Sequence, residues 1–199
     1  MPCKGAAPRY AVAVTHHHRF VEADGIRVHV AEQGEGPLVL LLHGFPECWY
    51  SWRSQLPALA AAGFHAVAPD LRGYHLTDKP REGYGIETLV DDVIALREQV
   101  GADRPMHLVG HDWGGVIAWQ VAWRHPEALR SLTIMNAPHP AAFAEYVRRS
   151  PSQMLKSAYM LFFQLPGLPR HVLTRRGAAA VASALRRSAA RPSVFSEAD

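Results

Sequence analysis

The sequence predicts an α/β fold built on a mostly parallel β-sheet. Three observations support this fold class: short, continuously apolar segments recur along the chain, stretches with helical spacing of apolar residues lie between them, and glycine or proline closes those stretches. Strands that alternate with helices are typical of parallel sheets in which both faces are covered.

The sheet is expected to begin with an antiparallel hairpin. Over residues 19–30, apolar and polar residues alternate on either side of Asp24-Gly25, a pair that favours a tight turn between two strands. The apolar segments after the hairpin indicate buried strands with parallel neighbours. They lie at residues 38–42, 64–69, 106–109 and 129–135.

Helices are predicted between these strands, where apolar residues recur every three or four positions. The three segments are residues 49–62, 86–100 and 113–125. After Asn136 the strand pattern stops, and an alanine- and arginine-rich sequence with helical character continues to Asp199. We therefore expect a loosely ordered leader over residues 1–18, a core over residues 19–139 and a helical unit over residues 140–199.

Composition is typical of a soluble globular protein, with 199 residues, 48% of them hydrophobic and 20% charged. The longest apolar run is far shorter than the roughly 20 residues of a membrane-spanning helix. The net charge of +3 comes from arginine-rich helical sequence without interleaved aromatics, so no nucleic-acid partner is expected. Two cysteines and no secretory signal favour the cytoplasm. The oligomeric state is left open.

No cofactor or metal is expected from the sequence. There is no G-x-G-x-x-G after a strand and no phosphate loop, which excludes the common nucleotide-binding patterns. His16-His17-His18 has no cysteine or carboxylate grouped beside it in the sequence, so we interpret this run of histidines as coincidental.

One segment carries the pattern of a catalytic turn. Gly110-His111-Asp112-Trp113-Gly114-Gly115 joins a buried strand to a helix and resembles a nucleophile elbow with aspartate in place of serine. Small flanking residues are needed because this turn is sharp and strained. By itself the pattern is weak, since Asp112 could instead cap the following helix.

A second loop gives the elbow its context. His43-Gly44-Phe45-Pro46 follows the first parallel strand, where folds of this type supply a donor to the oxyanion hole. We expect the backbone N–H groups of Phe45 and Trp113 to form that hole. His43, Pro46 and His111 are expected at the substrate pocket, although a structural role is the more ordinary one for His43.

Four segments together resemble epoxide hydrolases of the α/β-hydrolase fold, and the resemblance runs from Phe20 to the end of the chain. Haloalkane and haloacetate dehalogenases share much of the same pattern. The segments are His43-Gly44-Phe45-Pro46-Glu47, Asp70-Leu71-Arg72-Gly73-Tyr74, the elbow, and Asn136-Ala137-Pro138. The stretch from Tyr159 to Pro166 is similar to the part of the helical cap that carries a ring-opening tyrosine in epoxide hydrolases, and Tyr159 falls on that tyrosine.

The resemblance implies an enzyme that hydrolyses epoxides with water to vicinal diols. Asp112 would attack the epoxide and form an ester, and the Tyr159 hydroxyl would assist the leaving oxygen. A haloalkane dehalogenase with the same nucleophile, or a hydrolase fold that only binds a ligand, are the alternatives. Tyr159 also remains credible as a packing residue of the cap.

The rest of the catalytic triad is expected outside this sequence. In this fold an acid and then a histidine follow the nucleophile along the chain. His125, His139 and His171 are the histidines after Asp112, and none stands where the base belongs. We therefore expect an incomplete chain that lacks the C-terminal strands, contains only part of the cap and reacts with substrate once at most.

Overall fold

The computed structural model describes residues 16–101, 104–156, 163, 165, 167–174, 181 and 183. Two compact units divide the chain, residues 1–139 and residues 140–199. Among the described residues, no helix combines the length and the apolar character that crossing a bilayer requires.

A six-stranded sheet forms the centre of the first unit. Its strands lie side by side in the order β1-β2-β4-β3-β5-β6. β3, β4, β5 and β6 run parallel to one another, whereas β2 is antiparallel to both β1 and β4. The predicted α/β fold with a mostly parallel sheet is confirmed. The strands are β1 (His17–Ala23), β2 (Ile26–Gln33), β3 (Leu38–Leu42), β4 (His65–Pro69), β5 (Met106–His111) and β6 (Leu129–Met135).

The hairpin between β1 and β2 turns at the predicted dipeptide. Asp24 and Gly25 both have positive φ, 47° and 72°, as a two-residue hairpin turn requires. β1 already begins at His17. His17 and His18 therefore belong to the sheet, although the sequence analysis assigned them to the leader.

Three helices of the first unit cover the sheet. They are α1 (Gln55–Ala61), α2 (Ile86–Gln99) and α3 (Trp113–Arg124). The single helix predicted over residues 49–62 is wrong, because a 3₁₀ helix at Trp49–Trp52 precedes α1. Pro57 explains the break: it lies in the first turn of α1, where no backbone N–H is needed, but would disrupt the interior of one long helix.

The core lies on both faces of the sheet. Successive residues of β3 point to opposite sides, so that Leu40 packs with Val93 of α2 and Ile117 of α3, while Leu41 packs with Leu56 of α1. All five residues of β3 are buried. Burial on both faces explains why this strand is a continuous apolar run in the sequence.

The second unit contains helices in the parts of residues 140–199 that the structure describes. They are α4 (Pro140–Arg149), α5 (Pro151–Lys156) and α6 (Leu168–Thr174). The helical character predicted after Asn136 agrees with these elements. The identification of this unit as part of a cap remains a prediction.

A cluster of charged groups around Glu32 joins β1, β2 and β4. The Glu32 carboxylate accepts a hydrogen bond from Arg19 Nε at 2.7 Å and lies 3.1 Å from His65 Nε2 and 3.2 Å from His17 Nδ1. Burial alone would raise the pKa of Glu32. The hydrogen bonds from His65, Arg19 and His17 and the Arg19 charge outweigh it and lower this pKa from 4.5 to about 2.

We predict that replacing Glu32 by Gln removes part of the acid sensitivity of the fold. A carboxylate with a lowered pKa in the folded state stabilises the protein above its usual pKa. That contribution is lost as the pH falls from about 5 to 2. Urea unfolding across this range should show a smaller loss of unfolding free energy in Glu32→Gln than in the wild type. Glu22→Gln, at an exposed position of β1, is the control, and equal acid slopes for Glu32→Gln and wild type would contradict the prediction.

Candidate active site

Asp112 lies in a strained turn between β5 and α3. Its backbone has φ 49° and ψ −116°, a region that residues with a side chain seldom occupy. Hydrogen bonds hold it on both sides, from Asp112 N–H to the Met135 carbonyl at 3.0 Å and from Gly115 N–H to the Asp112 carbonyl at 3.0 Å. Strain at one residue persists because its neighbours determine the geometry.

Glycines make this turn possible. A Cβ at Gly110 would lie 2.5 Å from the Gly114 carbonyl oxygen, and a Cβ at Gly114 would lie 2.5 Å from the Leu42 carbonyl oxygen. Both distances are far below van der Waals contact. Close approach of strand, turn and helix is therefore the reason for glycine at these positions.

The Asp112 carboxylate points to the loop after β3. Its Oδ1 accepts a hydrogen bond from the Phe45 backbone N–H at 3.0 Å. Asp112 stands at the N-terminus of α3, but its side chain makes no capping hydrogen bond to that helix. The geometry fits a presented carboxylate and not the capping role that the sequence left open.

The loop after β3 is docked closely against the elbow. Gly114 N–H donates to the His43 carbonyl at 3.1 Å. A Cβ at Gly44 would lie 2.6 Å from the Asp112 Cβ, so only glycine lets the loop come this near. The two segments that the sequence analysis paired are thus brought together, with Asp112 and Phe45 in direct contact.

The His43 side chain holds the loop after β3 in place through hydrogen bonds. Its side chain is fully buried. Nδ1–H donates to the Gly44 carbonyl at 2.8 Å, and Nε2 accepts from Leu71 N–H at 3.0 Å. Burial lowers the pKa of His43, which favours the neutral ring that this bonding pattern needs. Because it is buried and both ring nitrogens are engaged, His43 is a scaffold residue and does not line the pocket that the sequence analysis expected it to border.

Four other predicted site residues lie beside Asp112 in the sequence or on the loop after β3. Phe45 and Trp113 are 45% and 37% exposed, so apolar surface is available beside the carboxylate. Pro46 is exposed next to Phe45, and the peptide bond between them is cis. His111 Nδ1 lies 3.2 Å from Glu47 Oε2, which ties the elbow to the loop a second time.

Tyr74 is a further group at this site that the sequence analysis did not single out. Its ring contacts that of His43 edge to face, with 4.9 Å between the centroids. Burial, together with the charge of Asp112, raises the pKa of Tyr74 to about 12. The Tyr74 hydroxyl therefore stays protonated near the negatively charged Asp112 carboxylate. The motif Arg72-Gly73-Tyr74 was visible in the sequence, but nothing in it indicated this neighbour.

Other residues that the sequence singled out have different contacts or fall outside the described part of the chain. Tyr159 lies outside the described residues. His125 pairs with Glu127, and the His139 ring packs on Trp119 at 4.9 Å. Side chains that could hold a metal ion also lie elsewhere: within the described part of the chain, the group that meets this test is His29, Asp70 and His75.

Three kinds of comparison, with family models, curated proteins and solved structures, agree on what this chain is similar to. A model of the α/β-hydrolase fold matches residues 37–188. Epoxide hydrolase 4 of Homo sapiens is 44% identical over 164 residues, which are 80% of this chain and 45% of that protein. Epoxide hydrolase 3 of Xenopus tropicalis is 45% identical over 178 residues, 86% of this chain and 48% of that protein.

Solved structures of similar proteins agree with the fold described above. An epoxide hydrolase from Vigna radiata superposes with a TM-score of 0.79 at 38% identity, covering 92% of this chain and 64% of that one. A Bacillus megaterium epoxide hydrolase in complex with an inhibitor gives 0.80 at 35% identity, covering 84% and 58%. The chain spans about half the length of the curated relatives it matches.

We predict that Gly114→Ala disrupts the elbow. Its new Cβ would meet the Leu42 and His43 carbonyl oxygens at 2.5 and 2.6 Å, so the loop after β3 must move away. The expected loss is about 3 kcal/mol of unfolding free energy, the upper end of the usual cost of overpacking. Denaturant unfolding measures it.

Gly85→Ala is the matched control for this substitution. Gly85 has a negative φ of −67°, and the nearest atom to an added Cβ is 3.7 Å away. Its cost should be about 1 kcal/mol or less. Equal losses for the two variants would show that the close approach at Gly114 is unimportant.

Proposed function

The chain belongs to the α/β-hydrolase fold family, and we propose that the whole protein hydrolyses epoxides to vicinal diols through an ester on Asp112. The observation that carries this proposal is the Asp112 carboxylate, held by the Phe45 N–H at 3.0 Å at the top of a strained elbow. The names of the relatives and structural neighbours support the substrate class.

The first step needs no base in this proposal. A carboxylate is already ionised at neutral pH and can attack a saturated carbon, which an unassisted serine hydroxyl cannot. Phe45 binds Oδ1 and leaves Oδ2 for the attack. The bond from Oδ2 to an epoxide carbon forms, the ring C–O bond breaks, and the resulting alkoxide takes a proton from an acid. We assign that acid to Tyr159.

The second step returns the carboxylate. Water adds to the ester carbonyl carbon and gives a tetrahedral oxyanion, which the N–H groups of Phe45 and Trp113 would stabilise. Collapse breaks the bond between this carbon and the diol oxygen. The step requires a histidine base oriented by an acid, and we assign no described histidine to that role. Where no such base is in place, the ester would persist or turn over slowly.

A haloalkane dehalogenase is the second candidate, because the same attack would displace a halide. Trp113 favours it, since an indole beside the nucleophile could bind the leaving halide. Tyr159 favours the epoxide, which needs a proton donor where a halide does not. Release of halide from haloalkanes without any reaction of a styrene-oxide-type substrate would decide for the dehalogenase.

We predict that an epoxide adds covalently to Asp112. After incubation with styrene oxide, intact mass should rise by one epoxide, and peptide mapping should place the adduct on Asp112. Asp112→Asn should abolish the adduct, while Asp91→Asn, at an exposed aspartate of α2, should leave it unchanged. An adduct on Cys48 or on a histidine, with Asp112 unmodified, would remove the nucleophile assignment. The proposed ester mechanism on Asp112 would then be wrong, although the hydrolase fold would remain.

We predict further that Tyr159→Phe slows ring opening by about 10²- to 10⁴-fold, the usual contribution of a positioned acid. The rate of adduct formation, or of diol formation where turnover occurs, measures the effect. Tyr146→Phe is the control, because Tyr146 is an exposed tyrosine of α4. An unchanged rate in Tyr159→Phe would show that Tyr159 is a packing residue and not the proton donor. That result would strengthen the dehalogenase candidate.

A further inference from the structure

Two histidines and an aspartate come together around the end of β4, and their chemistry is not used by the proposed hydrolysis. His29 lies in β2, Asp70 directly follows β4, and His75 lies in the next loop. Asp70 Oδ2 is 2.7 Å from His29 Nδ1 and 2.8 Å from His75 Nδ1. We propose that these three side chains bind a divalent transition-metal ion of the zinc class.

The donor set fits such an ion. Two imidazole nitrogens and one carboxylate oxygen are the protein ligands of many open zinc sites, with water in the fourth position. In a tetrahedron with bonds of 2.0–2.1 Å, ligand atoms lie about 3.3 Å apart. All three atoms here lie within 4.8 Å of one another. Binding an ion would lengthen both distances from the ring nitrogens to Oδ2 by about half an ångström, and it would set the two ring nitrogens about 3.3 Å from each other.

Access and charge also favour a cation. The Asp70 carboxylate is completely buried, and its ion-pair partners among the described residues are these two histidines, with no lysine or arginine paired to it. Buried charged groups in proteins are generally paired with other groups or bound to a metal ion. The His75 side chain is 44% exposed, so an ion can enter from solvent on this side.

Neighbouring groups orient two of the three ligands, His29 and Asp70. His29 Nε2 lies 3.1 Å from His18 Nδ1, and the two rings are stacked with 10° between their planes. A neutral His18 can accept the Nε2–H proton of His29, which leaves Nδ1 of His29 free to bind the ion. Asp70 Oδ1 accepts from Trp49 N–H at 2.9 Å, and Oδ2 also receives a long bond from Leu76 N–H at 3.3 Å.

An ion at this point would fasten the loop after β4 to β2. Thr77 already makes the same connection, since its hydroxyl donates to the Asp70 carbonyl at 2.7 Å and accepts from His29 N–H at 3.0 Å. Leu71, next to Asp70, donates to His43 under the loop that carries Phe45. Metal binding would therefore stiffen the support of the proposed oxyanion hole.

The competing arrangement contains no ion. In it, both Nδ1–H groups donate to Asp70, and His18 donates to His29 Nε2. The two arrangements differ in the position of the His29 proton, on Nε2 with a metal bound and on Nδ1 without one. Long-range nitrogen–proton NMR spectra of labelled histidines distinguish these tautomers.

Binding of Zn²⁺ and Co²⁺ to the full 199-residue chain tests the proposal. We expect one equivalent to bind, with a rise of several degrees in Tm and a visible spectrum of tetrahedral Co²⁺. His75→Asn should weaken binding by more than about 100-fold and abolish the Tm shift. Asparagine suits this test because His75 has φ 37°, a conformation that Asn tolerates. Circular dichroism without metal should show that the variant is folded.

Further variants separate this site from other histidines. His18→Phe keeps a ring stacked on His29 but loses Nδ1, so Co²⁺ should bind about 10- to 100-fold more weakly. His17→Asn, at an exposed position of β1, and His125→Asn should bind as the wild type does. No binding by the folded wild type, or unchanged binding by His75→Asn, would overturn the proposal. A loss in His17→Asn as large as in His75→Asn would assign the ion to the run of residues 16–18 and overturn it equally. None of these results depends on epoxide hydrolysis.

Discussion

The hydrogen bond from the Phe45 backbone N–H to the Asp112 carboxylate is the contact around which the site is arranged. It joins the loop after β3 to the turn after β5, two neighbouring parallel strands whose carboxyl ends meet at the same edge of the sheet. Gly44 and Gly114 let these segments approach within contact distance. The strained backbone of Asp112 persists because backbone hydrogen bonds with Met135 and Gly115 hold it on both sides.

Hydrogen bonds between buried groups support this contact. His43 links the loop of Phe45 to Leu71, and Asp70 accepts the Trp49 N–H from the segment before α1. Thr77 connects Asp70 to His29 of β2. Arg72 forms an ion pair with Asp92 of α2 in the same region. A polar network that is satisfied in this way can be buried without a large cost. The loop after β3 therefore rests on a layer of partnered polar side chains, and the proposed metal site is part of that layer.

The sequence predicted the strands well because buried parallel strands are short apolar runs bounded by polar residues. It predicted the contact of Phe45 with Asp112 because the two loops follow adjacent strands in a known order. The single helix predicted over residues 49–62 was wrong, because Pro57 does not fit the interior of one long helix. His43 was expected at the pocket, with a structural role as the more ordinary alternative, and its burial agrees with the structural role. The cluster of His29, Asp70 and His75 was not predictable from local spacing, since only the pairing of β2 with β4 brings the three together. The same holds for Tyr74, whose neighbour Asp112 is distant in sequence.

The most direct test of the central claim follows the oxygen atoms through one reaction cycle. Enzyme in excess over epoxide reacts in water enriched in ¹⁸O, and both the diol and the peptide that contains Asp112 are analysed by mass spectrometry. We predict ¹⁸O in the Asp112 carboxylate and none in the first diol, because the diol oxygen comes from the aspartate and water restores the carboxylate. A persistent ester on Asp112 would support the same chemistry with slow turnover. Labelled diol with unlabelled, unmodified Asp112 would contradict it, because water would then have attacked the epoxide directly.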